Sequence, residues 1–290
     1  MPGLIDFEDN TERNTRWQKE LEQFQLYPLW EKDVPGYTEE FGQPKPGFIF
    51  LPAPDGASKG CIVVMAGGGY TFKSTSEGVA VAKKLNTAGI NAAVLDYRIV
   101  PYKKEFILAD AKRCVRYLNC HAAEFNINPD KIGVIGFSAG GNLAAMTCFY
   151  GDDGHPTSPD PVERCPCRPA AAILVYAAVY MVDETEEEDD DEFNLMSYFN
   201  FKPEKDMRFP PAFIWQSFED MLVNYNISFD LAKLLRKMKV PVEMHLFPYG
   251  EHGQALANNI NYQDPAESGY HALTICWSDL CTRWLHYYGF

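Results

Sequence analysis

The residues best suited to chemistry in this chain are Gly136-Phe137-Ser138-Ala139-Gly140, which fit the pattern G-x-S-x-G. The pattern is short, and its setting gives it meaning. An apolar run, Ile132-Gly133-Val134-Ile135, leads in, and a small-residue segment, Gly141-Asn142-Leu143-Ala144-Ala145, leads out. A strand, a tight turn and a helix in that order lift the turn serine above the sheet, where its hydroxyl can act as a nucleophile. The flanking glycines suit a turn with no room for large neighbours. The helix that follows offers unpaired N–H groups and the positive end of its dipole to negative charge developing beside Ser138. This is the chemistry of acyl transfer, which also needs a base for the serine proton and an acid to orient that base.

Six histidines are available, at 121, 155, 245, 252, 271 and 286. His121, His271 and His286 fall in helix-like patterns, His245 lies inside a strand-like run, and His155 sits in the loop Gly154-His155-Pro156. His252 lies in a loop just after the run ending at Phe247. Ligands gather at the carboxyl ends of strands in sheets of this kind, so His252 is the expected base. The acid should follow the preceding strand, Phe213–Gln216, which leaves Glu219 and Asp220 as candidates. A second glycine cluster, Gly67-Gly68-Gly69, closes the apolar run Cys61–Ala66. Glycines there let the backbone itself approach a substrate.

These residues need a scaffold, and the rest of the chain reads as one. Apolar runs at 61–66, 90–96, 131–136, 170–179, 212–216 and 241–247 have the look of buried strands. Between them lie helical patterns at 76–88, 109–125, 139–150 and 226–239, with a closing helix over 267–288. Ala111, Val115, Leu118, Ala122 and Phe125 recur at helical spacing. Ser74 and Glu77 have the spacing of a capping box for the helix over 76–88. Trp17–Phe24 reads as a short helix and Gly47–Leu51 as an edge strand. Strands alternating with helices imply a mostly parallel sheet flanked by helices on both faces.

Taken in order, MAGGGY (65–70), Ser76-Glu77-Gly78, LDYR (95–98), GFSAGG (136–141), the stretch ending at Asp220, and GEHG (250–253) resemble the α/β-hydrolase superfamily. More narrowly, the chain is similar to the esterase branch related to hormone-sensitive lipase and the acetyl-xylan esterases, over about residues 45–288. The resemblance implies an α/β-hydrolase fold with Ser138 as nucleophile, His252 as general base and Asp220, rather than Glu219, as the acid. It also implies an oxyanion hole built from the amides of Gly68, Gly69 and Ala139. The lipase relatives usually carry His before the glycines; Met65-Ala66 stand there in this chain. Tyr70 and the Ser-Glu-Gly at 76–78 look more like the sugar-ester branch. The implied activity is therefore removal of acetyl or other short acyl groups from oligosaccharides. Alternatives are a generic short-chain carboxylesterase, a related amidase or peptidase, and a non-catalytic binding protein on the same fold. Tyr70 is a candidate wall of the substrate site. Trp30, Trp215 and Tyr249 are further candidates for stacking on a sugar, although each reads more readily as a packing aromatic. No metal or organic cofactor is implied.

Composition narrows the partners. Of 290 residues, 46% are hydrophobic and 23% charged, as in a globular protein able to bury a large core. The net charge of −14 argues against nucleic acid and against anionic membrane surfaces as partners. Nine of the acids lie between Asp183 and Glu192, so most of the excess is local. The run reads as an exposed loop or the start of a cap inserted at about 181–210, with Phe193–Phe201 as its apolar part. The remaining division is an N-terminal extension over 1–44 and a hydrolase domain over 45–290. Of eight cysteines only Cys165 and Cys167 form a close pair, without the second pair or histidines a zinc site needs. The N-terminus has no signal-like pattern and no run approaches the roughly 18 apolar residues of a spanning helix. These features predict a cytoplasmic protein acting on a small-molecule or oligosaccharide ester.

Overall fold

The computed structural model describes residues 7–54, 59–182, 195–257 and 273–290. Its centre is an eight-stranded sheet. The strands are β1 (Leu26–Pro28), β2 (Gly47–Leu51), β3 (Cys61–Met65), β4 (Asn91–Asp96), β5 (Ile132–Phe137), β6 (Ala172–Val175), β9 (Ala212–Ser217) and β10 (Val242–Phe247). Two further short strands, β7 (Tyr180–Met181) and β8 (Asn200–Phe201), pair with each other apart from the sheet. The order across the sheet is β1-β2-β4-β3-β5-β6-β9-β10. The pairs β1/β2 and β2/β4 are antiparallel, and every other pair is parallel. Gly47–Leu51 is thus not the edge strand that its sequence suggests, because β1 covers its outer side.

The strands read as continuous apolar runs because both faces of the sheet are buried and side chains alternate between them. Val63, Leu95, Val134, Leu174 and Ile214 face one core, which also holds Val115, Leu118, Leu143 and Leu235. These come from α3 (Lys104–Cys120), α4 (Ala139–Phe149) and α5 (Tyr225–Lys237). Ile62, Val64, Val94, Ile135, Ile173 and Phe213 face the other core, with Trp17, Leu85, Trp277 and Leu285. Those are carried by α1 (Phe7–Leu21), α2 (Val79–Thr87) and α6 (Trp277–Tyr287).

Two departures from the sequence reading matter for the site. The first helix runs over Phe7–Leu21 rather than Trp17–Phe24, and it docks beside the Gly67–Gly69 loop. The capping box is absent: Thr75–Glu77 forms a 3-10 turn, and the Ser74 side chain makes no cap bond. The Ser74 hydroxyl instead meets that of Ser76, and Glu77 is directed inward. The acidic run over 183–192 lies outside the described residues, as does His271. Among the described residues, no helix is long and apolar enough to cross a membrane.

Candidate active site

The site is built on the carboxyl ends of β3, β5, β9 and β10. At the end of β5 the backbone turns sharply into α4, and Ser138 occupies the turn at φ 52° and ψ −115°. A non-glycine residue rarely adopts such a conformation, so the surroundings must impose it. They do so by close approach. A Cβ at Gly136 would lie 2.0 Å from the Gly140 carbonyl oxygen, and one at Gly140 would lie 2.1 Å from that of Met65. The Ser138 carbonyl accepts from the amides of Asn142 and Ala178, which locks the start of α4.

His252 sits in the loop after β10. Its Nε2 is 2.8 Å from Ser138 Oγ, and its Nδ1 is 2.7 Å from Asp220 Oδ2. The Asp220 carboxylate is placed by its own loop after β9. Oδ1 accepts from the amides of Leu222 at 2.9 Å and Val223 at 2.8 Å, which leaves Oδ2 to face the imidazole. The Asp220 side chain is 1% exposed, so little water competes for that contact. Glu219 turns elsewhere and accepts from the Gly250 amide at 3.2 Å. Of the two carboxylates left open by the sequence, Asp220 is the one brought to His252. Three of the other described histidines are engaged away from the serine. His121 contacts Glu124, His245 contacts Glu243, and His286 meets the Ala88 carbonyl.

The Gly67–Gly69 loop faces Ser138 from the end of β3. Gly68 and Gly69 have φ of 131° and 60°, a backbone path open to glycine. At Gly68 a Cβ would lie 2.1 Å from the Phe72 carbonyl oxygen. The amides of Gly68, Gly69 and Ala139 donate to no acceptor among the described residues. The rest of the loop is heavily tied. Ser74 N–H donates to Gly67 O, Lys73 forms a buried ion pair with Asp96, and Asn14 of α1 donates to Thr71 O at 3.2 Å.

Tyr70 is 3% exposed, its hydroxyl donates to Asn142 Oδ1 at 2.8 Å, and its ring packs on Phe199. Trp215 cannot stack on a ligand as the sequence allowed: it is fully buried between Tyr176, Phe247 and Trp277. Trp30 is packed under the Arg98 and Arg113 guanidinium groups. Tyr249 is exposed, in the same loop after β10 as His252.

Sequence spacing missed Glu77. Its carboxylate is 3% exposed and lies behind the glycine loop. Oε2 accepts from the Gly67 amide at 2.7 Å and Oε1 from the Tyr176 hydroxyl at 2.7 Å. Burial pushes its pKa up, while the bonds from Tyr176 and Gly67 and the nearby His252 pull it back.

The acetyl ester–xyloside bifunctional hydrolase of Caldicellulosiruptor lactoaceticus superposes with a TM-score of 0.76 at 33% identity, over 92% of this chain and 97% of that one. The chain is an α/β-hydrolase of the esterase branch. The BD-FAE family model matches residues 48–164 of this α/β-hydrolase, which include the glycine loop and Ser138. Two longer relatives extend the comparison. Endo-1,4-beta-xylanase B of Butyrivibrio fibrisolvens is 30% identical over 250 residues, 80% of this chain and 38% of that protein. The acetylxylan esterase of Xylanibacter ruminicola is 26% identical over 228 residues, 73% of this α/β-hydrolase and 44% of the relative. The chain thus spans less than half the length of either of these two relatives.

Proposed function

We propose that the chain is a serine carboxylic-ester hydrolase that removes acetyl or other short acyl groups from oligosaccharides. The observation that carries the reading is the line Asp220–His252–Ser138, with contacts of 2.7 and 2.8 Å. Ser138 Oγ attacks the ester carbonyl carbon while His252 Nε2 takes its proton. Negative charge gathers on the carbonyl oxygen, where the amides of Gly68, Gly69 and Ala139 receive it. The carbon–oxygen bond to the alcohol then breaks, and His252 returns the proton to that alcohol. A water molecule, deprotonated by His252 in turn, attacks the acyl carbon; the bond to Ser138 Oγ breaks, the acid leaves, and His252 returns the proton to Oγ. Asp220 holds the imidazole in the tautomer that accepts at Nε2 and stabilises its charged form.

The carbohydrate part of the reading is supported by an acetylxylan esterase and an acetyl ester–xyloside hydrolase among the similar proteins. With Tyr70 so buried, its contribution is the wall behind the glycine loop rather than stacking on a sugar ring. The test is product analysis by mass spectrometry on acetylated xylo-oligosaccharides, alongside p-nitrophenyl esters from acetate to octanoate. The expected outcome is loss of acetyl groups from the sugars and a preference for acetate among the esters. Preference for long acyl chains without sugar deacetylation would leave an esterase and remove the carbohydrate assignment.

A further inference from the structure

The two halves of the site come from distant segments, the oxyanion loop after β3 and the His252 loop after β10. One buried carboxylate links them, directly to the first and through the Tyr176 hydroxyl to the second. Glu77 Oε2 accepts from the Gly67 amide at 2.7 Å, immediately before the glycines whose amides face Ser138. Glu77 Oε1 accepts from the Tyr176 hydroxyl at 2.7 Å, and that hydroxyl in turn accepts from the Ala255 amide at 2.8 Å. The donor order follows from the groups themselves. The Ala255 N–H can only donate, so the phenol oxygen accepts there and its hydrogen points at Glu77. The Tyr176 ring also packs edge-on against the His252 imidazole, with centroids 4.9 Å apart. Beyond it, Trp277 Nε1 donates to the Ala255 carbonyl at 3.1 Å and ties the same loop to α6.

The Glu77 carboxylate and the Phe137 carbonyl leave no room for a side chain at position 67. A Cβ at Gly67 would lie 2.8 Å from Glu77 Oε2 and 2.6 Å from the Phe137 carbonyl oxygen. Both carboxylate oxygens face donors, so the carboxylate as an acceptor-only group fits the cradle. Burial alone would disfavour a charge there, and nothing in local helix capping requires one. The arrangement also supplies inner support to a loop in which Met65-Ala66 stand where the lipase relatives usually have a histidine.

We propose that Glu77 is a positioning residue for ester hydrolysis, holding the oxyanion loop through Gly67 and the His252 loop through Tyr176 and Ala255 in one fixed relation. This rests on the esterase reading with Ser138 as nucleophile. The bridge sets where the amides of Gly68 and Gly69 lie relative to the imidazole that serves Ser138. It touches no substrate. Its loss therefore slows the chemical steps and leaves ground-state binding nearly as it was.

The test uses the full chain and p-nitrophenyl acetate, with kcat and KM expressed per serine titrated by an organophosphate. Glu77→Gln keeps the shape but sets an amide NH2 against a donor. It is expected to lower kcat by about 10–100-fold, the cost of a misplacement near 1 Å at a reacting centre. KM should stay within about threefold and the melting temperature within a few degrees, the split that marks a transition-state effect. Tyr176→Phe removes a single oxygen, breaks the link from Glu77 to Ala255, and is expected to lower kcat with the same unchanged KM. Should Glu77→Gln fail to fold, Tyr176→Phe decides the matter alone. If the folded variants keep wild-type kcat per titrated serine, the proposal is overturned. It is equally overturned if KM rises while kcat holds. Failure of the underlying reading looks different: wild-type protein would then show no titratable serine, and Ser138→Ala would be as active as wild type.

Discussion

At the residue scale, each member of the Ser138–His252–Asp220 line has a distinct expected loss. On the proposed mechanism Ser138→Ala removes the attacking oxygen and His252→Ala the proton acceptor, so each should cut kcat for p-nitrophenyl acetate by about four orders of magnitude or more. Asp220→Asn is isosteric and can still accept the Leu222 and Val223 amides at its oxygen. Its NH2 group then faces His252 Nδ1, which favours the tautomer with the proton on the wrong nitrogen. The expected loss is about 10²–10⁴-fold in kcat with unchanged circular dichroism. Glu219→Gln keeps an acceptor for Gly250 and should stay within about threefold of wild type, since no chemistry passes through it. A dead Glu219→Gln beside a fully active Asp220→Asn would reverse the assignment of the acid.

At the scale of elements, α1 ties the glycine loop down by buried polar contacts as well as by its apolar face. α1 buries Trp17 completely, and its indole N–H donates to Asp96 Oδ1 at 2.8 Å, on the carboxylate that also pairs with Lys73 of the glycine loop. Trp17→Ala should therefore cost about 3–5 kcal/mol by loss of packing, measured by chemical denaturation. A second element-level test concerns α3 and the loop that follows α4. Burial opposes the charge on Asp152. The hydrogen bonds from Arg116 and Lys112 and the Gly154 amide outweigh it, holding the carboxyl well below the usual carboxylate range. A carboxyl depressed on folding stabilises the protein above its unfolded pKa, and that gain fades as pH falls through the folded value. Asp152→Asn should melt lower than wild type at pH 7, with the gap closing as the pH drops below about 4. A gap independent of pH would show that the ion pairs with Arg116 and Lys112 do not supply it. The same elements explain what could be read from the sequence. The turn at Ser138 was legible because strand, glycine, serine, glycine and helix are contiguous, and the close approach that requires Gly136 comes from Gly140 itself; the one that requires Gly140 comes from Met65 on β3 and left no local mark. α1 was misplaced by its first ten residues because its apolar stripe is thin and its anchors, Asp96 and Thr71, are distant in the chain. β1, three residues ending in Pro28, is too short for any period to register. Glu77 matched a local capping pattern, whereas its partner Tyr176 is 99 positions away. Local spacing holds no trace of such a bridge.

At the scale of the whole molecule, the site belongs to the sheet rather than to any segment. Gly67–Gly69, Ser138, Asp220 and His252 leave the carboxyl ends of four strands, so the sheet order brings residues 114 positions apart, Ser138 and His252, within 2.8 Å. The order is also non-sequential: β4 lies between β2 and β3, and β3 lies between β4 and β5. Parallel pairings of this kind close long loops before any contact rewards them, which makes them slow to form. The local pieces carry no such cost, since the α3 and α4 helices can form within their own segments. A chain of this size is expected to regain helix before it regains its long-range strand pairings. On dilution from guanidinium chloride, most of the far-UV circular dichroism should therefore return in the earliest phase. Hydrolysis of p-nitrophenyl acetate should return only in the last phase, because Ser138, Asp220 and His252 meet only when β5, β9 and β10 are all in place. The glycine loop also requires β3 docked on β5, where Met65 pairs with Gly136 at the entry to the Ser138 turn. Activity that recovered together with the first helical signal would mean that a smaller unit than the sheet assembles the site, and it would contradict this account of how the fold positions it.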